Sequence, residues 1–165
     1  MMVWGWPRAG PFHFRTLTAM KIAFTVEGVP PKKDGANSMW RKPTEVPRIK
    51  AFRIAACAVL DGRAPDSGSV ALTVRVFAPA GAGDLDNFAT GICDALMAVH
   101  PRVPVDESLW SELPAAARPD RPIAFRDDSI VSRILIERLP VPPRGPRYEV
   151  ELEWQAAVSA LGDLR

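Results

Sequence analysis

The sequence predicts an α+β domain: a mixed sheet of about four strands with two main helices, in the order β-α-β-α-β-β. Three observations carry this. Two-residue alternation marks 70–77 and 147–154, helical spacing marks 47–60 and 87–100, and Pro- and Gly-rich loops separate them. At 165 residues the chain fits one domain large enough to bury a core, and 47% hydrophobic and 24% charged residues are ordinary for a globular protein.

Residues 1–20 carry Arg8 and Arg15 but no continuous apolar core, which argues against a signal peptide. They are expected to form an N-terminal extension, a disordered arm, with Met1, Met2 and Met20 as alternative starts. Lys21 to Gly28 is rich in β-formers and predicts the first strand. Val29-Pro30-Pro31-Lys32-Lys33-Asp34-Gly35 ends it in a loop. From Pro47 to Leu60, Ile49, Phe52, Ala56 and Val59 recur at helical spacing, with Arg48, Lys50 and Arg53 placed mostly off that stripe. Gly62 to Gly68 reads as a turn. Val70 to Phe77 is the strongest strand, with Val70, Leu72, Val74 and Val76 on one face.

Pro79 to Gly83 forms a loop, and Asp86 is expected to cap the helix that follows. Along Asn87 to His100, Phe88, Ile92, Ala95, Leu96 and Val99 fall on one side, and Asn87, Thr90, Gly91 and Asp94 on the other. Residues 101–124 are Pro-rich and read as an insertion with a short helix near Ser108 to Leu113, either functional or mobile. Ile130 to Arg138 predicts a third strand, Pro140 to Pro146 a turn, and Arg147 to Trp154 a fourth strand. The main domain is thus 21–155, and 156–165 is a tail.

Composition narrows the function classes. No apolar run reaches the roughly 20 residues of a membrane span. Two Cys, Cys57 and Cys93, sit in helical patterns and read as buried thiols of a reducing, cytoplasmic compartment. With only two His, a His-rich zinc centre is excluded. The net charge is +2, yet Lys21 to Arg63 holds nine Lys/Arg against four acids, a distribution suited to a polyanionic partner or to a solvated mixed-charge face.

The chemistry-bearing feature is Gly83-Asp84-Leu85-Asp86-Asn87 at a strand-to-helix junction, with Asp127-Asp128 ahead of a later strand. Asp84, Asp86 and Asp128 are the candidate metal ligands, since clustered carboxylates relieve their mutual repulsion by holding a hard dication. Such a dication neutralises charge on a phosphate and activates water for attack on phosphorus. The structural alternatives are a cap for Asp86, a loop acid for Asp84 and a turn residue for Asp127. Asp94, on the face of Asn87 and Thr90, is a candidate to orient a ligand or a basic side chain, or else a solvent-facing acid. Lys32 and Lys33, extended by Arg48, Lys50 and Arg53, are candidates to meet a phosphate backbone, with Trp40 to stack on an unpaired base or to fill the core.

Asp84-Leu85-Asp86-Asn87, a helix carrying Asp94-Ala95-Leu96, and Asp127-Asp128-Ser129-Ile130 opening a strand resemble the RusA family of Holliday junction resolvases. Gly28-Val29-Pro30-Pro31-Lys32-Lys33 looks like that family's strand exit and basic loop, and the resemblance spans about Lys21 to Trp154. It implies a homodimeric, Mg²⁺-dependent (Mn²⁺ also admissible) endonuclease that cleaves four-way junctions or other branched DNA in recombination and repair. By motif, Asp84, Asp86 and Asp128 would be the catalytic metal ligands. Asp127, Asn87 and Asp94 would support them, and Lys32, Lys33, Arg48, Lys50 and Arg126 would touch DNA. Two departures stand out. Thr90 occupies the position of a family lysine, for which Arg126, Lys32 and Lys33 are the candidate substitutes. The segment from His100 to Arg126 is much longer than the usual turn. The alternative is therefore a RusA-like fold that binds branched DNA without efficient cleavage, and a third reading is a non-nuclease domain whose acids are turns and caps.

Overall fold

The computed structural model describes residues 17–35, 38–65 and 68–157. In chain order the elements are β1 (Leu17–Glu27), α1 (Val46–Leu60), β2 (Val70–Phe77), α2 (Leu85–Leu96), α3 (Glu107–Ser111), β3 (Val131–Leu139) and β4 (Arg147–Ala157). The sheet runs β1-β4-β2-β3; β4 is antiparallel to both neighbours, and β2 is parallel to β3. The α+β class and the mixed four-stranded sheet are as the sequence predicts.

Alternation makes the sheet two-sided. Ile22, Phe24 and Val26 of β1, Val70 to Val76 at every second residue of β2, and Tyr148, Val150, Leu152 and Trp154 of β4 are buried. They share one face because Phe24 pairs with Val150, which pairs with Val74. Helices α1 and α2 cover that face with Ile49, Phe52, Ala56, Phe88, Ile92 and Leu96. The other face carries ion pairs, Lys21 to Glu151 at 2.9 Å and Arg75 to Glu137 at 3.2 Å.

Several boundaries differ from the sequence reading, each for a physical reason. Strand β1 begins at Leu17, inside the predicted arm, because β4 continues to Ala157 and the ladder pairs Leu17 with Ala157. The expectations for residues 1–16 and 158–165 lie outside the described residues. Asp84, not Asp86, occupies the N-cap position of α2, and Asp86 lies in the first turn. Helix α2 ends at Leu96 rather than His100. Met97 is extended (φ −91°, ψ 169°), and the N–H of Val99 donates instead to the Pro119 carbonyl at 2.7 Å. Strand β3 starts at Val131 because Asp128–Ile130 form a single 3₁₀ turn.

The 101–124 insertion packs into the molecule. Leu109, Leu113, Ala117 and Ile123 join the core, and α3 lies where a short helix was expected. Its anchor is Arg53, fully buried on α1. All five N–H donors of Arg53 reach carbonyls: Nε to Ala117, Nη1 to Ala95 and Met97, Nη2 to Arg118 and Arg121. Burial pushes its pKa down to about 10, so it stays charged at neutral pH. The Ala95 and Met97 carbonyls belong to the C-terminal end of α2, where a cation is favoured by the helix dipole. No helix among the described residues is long and apolar enough to cross a membrane.

Candidate active site at the start of helix α2

Strand β2 delivers the chain through a 3₁₀ turn (Ala80–Ala82) to Gly83, whose φ of +149° suits glycine. A side chain there would meet the Phe88 ring at 3.0 Å and the Lys32 stem at 3.1 Å. The guanidinium of Arg138, near the end of β3, donates to the carbonyls of Pro79 and Gly83 and so fixes the turn from below. Asp84 follows as an N-cap whose carboxylate makes no capping bond, and both Asp84 and Asp86 are exposed. Two free carboxylates thus stand at the positive end of a twelve-residue helix.

The basic loop is held against this end with little freedom. Gly91 lets the Pro31-Lys32 backbone cross α2 directly; a Cβ there would lie 2.4 Å from the Pro31 carbonyl oxygen. The Lys33 N–H donates to the Asn87 carbonyl at 3.0 Å, and the Lys32 N–H donates to Glu45 Oε2 at 2.9 Å. Glu45, wholly buried before α1, also accepts from Arg48 Nη1 at 3.0 Å. The Lys32 stem therefore lies over Gly83, next to Asp84. Lys33 Nζ pairs with Asp94 Oδ2 at 3.0 Å, so Asp94 does orient a basic side chain. A cavity of about 460 Å³ opens beside that pair, lined in part by Met39, Met97, His100 and Arg102.

Asp127 and Asp128 lie elsewhere. Because β2 and β3 are parallel and joined through α2, the start of β3 is level with the start of β2, at the opposite end of the sheet from Asp84. Asp128 lies beside the third turn of α2, close enough that its charge, with that of Asp94, adds to burial in raising Cys93 to about 11. Cys93 is nine residue steps along the helix from Asp84, about 14 Å along the axis. Asp127 Oδ1 accepts the Ser129 N–H at 2.8 Å, which holds its carboxyl below the usual range and makes it a turn residue. Among the described residues no three His, Cys, Asp or Glu side chains are arranged around one ion position. Asp84 and Asp86 offer the carboxylate oxygens that Mg²⁺ accepts beside phosphate and water. The three-carboxylate set does not assemble within one chain.

No protein-family model matches the chain. No curated protein matches it either.

The phosphate-contact candidates fare unevenly. Lys32 has Asp34 at 3.4 Å, Arg48 has buried Glu45, and Lys50 has Glu112 at 2.6 Å, so each is already near a carboxylate. Arg126 is exposed but stands with Asp127, away from Asp84. Arg53 is buried and serves the core. Trp40 is buried too, 5.5 Å from the Arg53 guanidinium, and is not placed to stack on a base. Thr90 is exposed and donates to the Asp86 carbonyl at 2.9 Å. Of the three possible substitutes for the missing lysine, Lys32 alone runs its side chain past Gly83 toward Asp84; Lys33 turns its own to Asp94. Sequence reasoning missed Glu45 and Arg138, for which only the tertiary fold gives a signal.

Proposed function

We infer that the chain is a RusA-like, Mg²⁺-dependent endonuclease acting on branched DNA, with Asp84 and Asp86 as its metal-binding carboxylates. The observation that supports it is the uncapped Asp84–Asp86 pair at the start of α2, with Lys32 locked beside it by Glu45 and Gly91. Bound there, Mg²⁺ would supply charge neutralisation at a phosphate and an activated water. Lys32 would supply the cation that Thr90 cannot. Asp128, remote within one chain, would serve the Asp84–Asp86 pair of a second copy in the homodimer.

The test is cleavage of a labelled synthetic four-way junction, with and without Mg²⁺, beside a linear duplex. Paired nicks near the crossover that need the metal are the expected result. Asp84→Asn should lower the rate at least about 100-fold with binding retained. Nicking that survives both Asp84→Asn and Asp128→Asn would overturn the reading. A second reading, binding without efficient cleavage, is favoured by the exposed Thr90 hydroxyl turned back to its own helix. On that reading the junction is shifted but uncut, and Thr90→Lys creates activity.

A further inference from the structure

The cavity of about 460 Å³ beside the Lys33–Asp94 pair falls in the size range of small-molecule pockets, about 300–1,000 Å³. Neither Asp84 nor Asp86 lines it. Its walls come from three pieces of chain, each fixed without a ligand. The 3₁₀ turn Met39–Arg41 is held by the Trp40 N–H on Ser38 Oγ at 3.3 Å and by the Asp106 N–H on the Trp40 carbonyl at 2.8 Å. The end of α2 supplies Asp94 and Met97, and the Met97 carbonyl accepts from buried Arg53 at 2.9 Å. The third piece is the start of the long segment after α2, where the Val103 N–H donates to the His100 carbonyl at 2.9 Å. Little ordering is left for a ligand to impose.

Three features specify the occupant. Met39, Met97 and Val103 form an apolar wall whose thioethers suit contact with a flat ring. Lys33 Nζ and Asp94 Oδ2, 3.0 Å apart, set a donor beside an acceptor, and a carboxylate keeps further lone pairs when one is taken. Every DNA base carries the complement on its pairing edge, an N–H group next to a ring-nitrogen or carbonyl acceptor. In a duplex that edge is occupied, so only an unpaired base offers it. On the open side, Arg102 and His100 are exposed. Arg102 forms no ion pair among the described residues. His100 Nδ1 accepts the Arg102 N–H at 3.2 Å, so the neutral ring keeps its proton on Nε2 as a donor. Both groups suit phosphate oxygens.

We propose that this cavity is a subsite for one unpaired nucleotide. The base lies inside against the methionines with its pairing edge on Lys33 and Asp94, and the phosphate lies at Arg102 and His100. Such a nucleotide has two sources, a free mononucleotide or one residue of a DNA strand. Its supply by branched DNA rests on the nuclease reading; the pocket does not, since a protein that never cuts would still fill it.

Binding is measured on the full chain without Mg²⁺, so that cleavage plays no part, with circular dichroism to confirm folding of each variant. Calorimetry compares dAMP with deoxyribose 5-phosphate. Fluorescence anisotropy compares three labelled duplexes: fully paired, with one bulged nucleotide, and with the same bulge lacking its base. If DNA is the source, the base-bearing bulge should bind at least about tenfold tighter than the other two duplexes. If the source is a free nucleotide, dAMP should bind at least about tenfold tighter than deoxyribose 5-phosphate, with the three duplexes alike. Either result supports the subsite. Val103→Trp, which fills the cavity, should abolish that preference, and Arg102→Glu, which reverses charge at the phosphate, should weaken binding of the preferred probe at least about tenfold. Lys21→Glu, on the open face of the sheet, should leave the preference unchanged. Indifference to the base in both assays would overturn the proposal, and so would a preference that survives Val103→Trp. Failure here leaves Mg²⁺-dependent nicking untouched, and absent nicking leaves this binding untouched.

Discussion

Gly91 stands in the middle of α2, where glycine costs about 1 kcal/mol relative to alanine. The Pro31-Lys32 backbone explains it, since a Cβ would sit 2.4 Å from the Pro31 oxygen and 2.7 Å from the Lys32 Cα. Gly91→Ala should therefore destabilise by about 2 kcal/mol net despite its better helix propensity, read as a lower urea midpoint at constant slope. Tyr148 points the other way. Its hydroxyl is buried without a hydrogen-bond partner among the described residues, and burial raises its pKa well above the usual value of 10.0. Tyr148→Phe should thus add about 1 kcal/mol of stability at neutral pH. Above pH 10 the unfolded state ionises this tyrosine and the folded state does not, so wild-type stability falls as pH rises. The variant should lack that fall. Tyr148 is the only tyrosine, so phenolate absorbance reports the event directly. Neither effect was legible beforehand, because the pattern gives only Gly91 on the polar side of a helix and Tyr148 on the apolar side of a strand.

Among the elements, α1 shows most clearly what helical spacing gives and withholds. Positions 49, 56 and 60 form its buried stripe, and Arg53 lies on the same stripe, four residues after Ile49 and three before Ala56. The spacing thus contained the signal for a buried arginine, and charge alone suggested the opposite. Arg53 must be read together with the 101–124 segment, whose carbonyls it satisfies. Pro-rich sequence without a period tells nothing of such a long-range anchor. Arg53→Met leaves five carbonyls without their donor and should cost about 4 kcal/mol. The loss should concentrate in residues 97–124, measured as amide-exchange protection there before the sheet opens. Arg53→Lys keeps the charge but not the planar fork, and should fall between the two.

For the whole molecule, strand count, order and class were legible because alternation and helical spacing are local. Sheet order was not, since it depends on which strands meet in space. That one unread fact decides the candidate site. Asp84 and Asp86 follow the end of β2, Asp128 precedes the start of β3, and a parallel β2–β3 pair sends them to opposite ends. In the homodimer proposed above, a twofold axis that reverses the strand direction would bring Asp128 of one copy to the end of the sheet where Asp84 and Asp86 of the other lie. A mixing experiment separates the two arrangements. Asp84→Asn and Asp128→Asn homodimers should each be inactive on a four-way junction. In a mixed dimer, one composite site combines both substitutions and the other has none. Mixing the two inactive proteins in equal amounts should therefore restore Mg²⁺-dependent nicking of one strand per junction, at about a quarter of the wild-type number of sites when subunits exchange at random. If each site lay within a single chain, every site in the mixture would carry a substitution and nicking would stay absent.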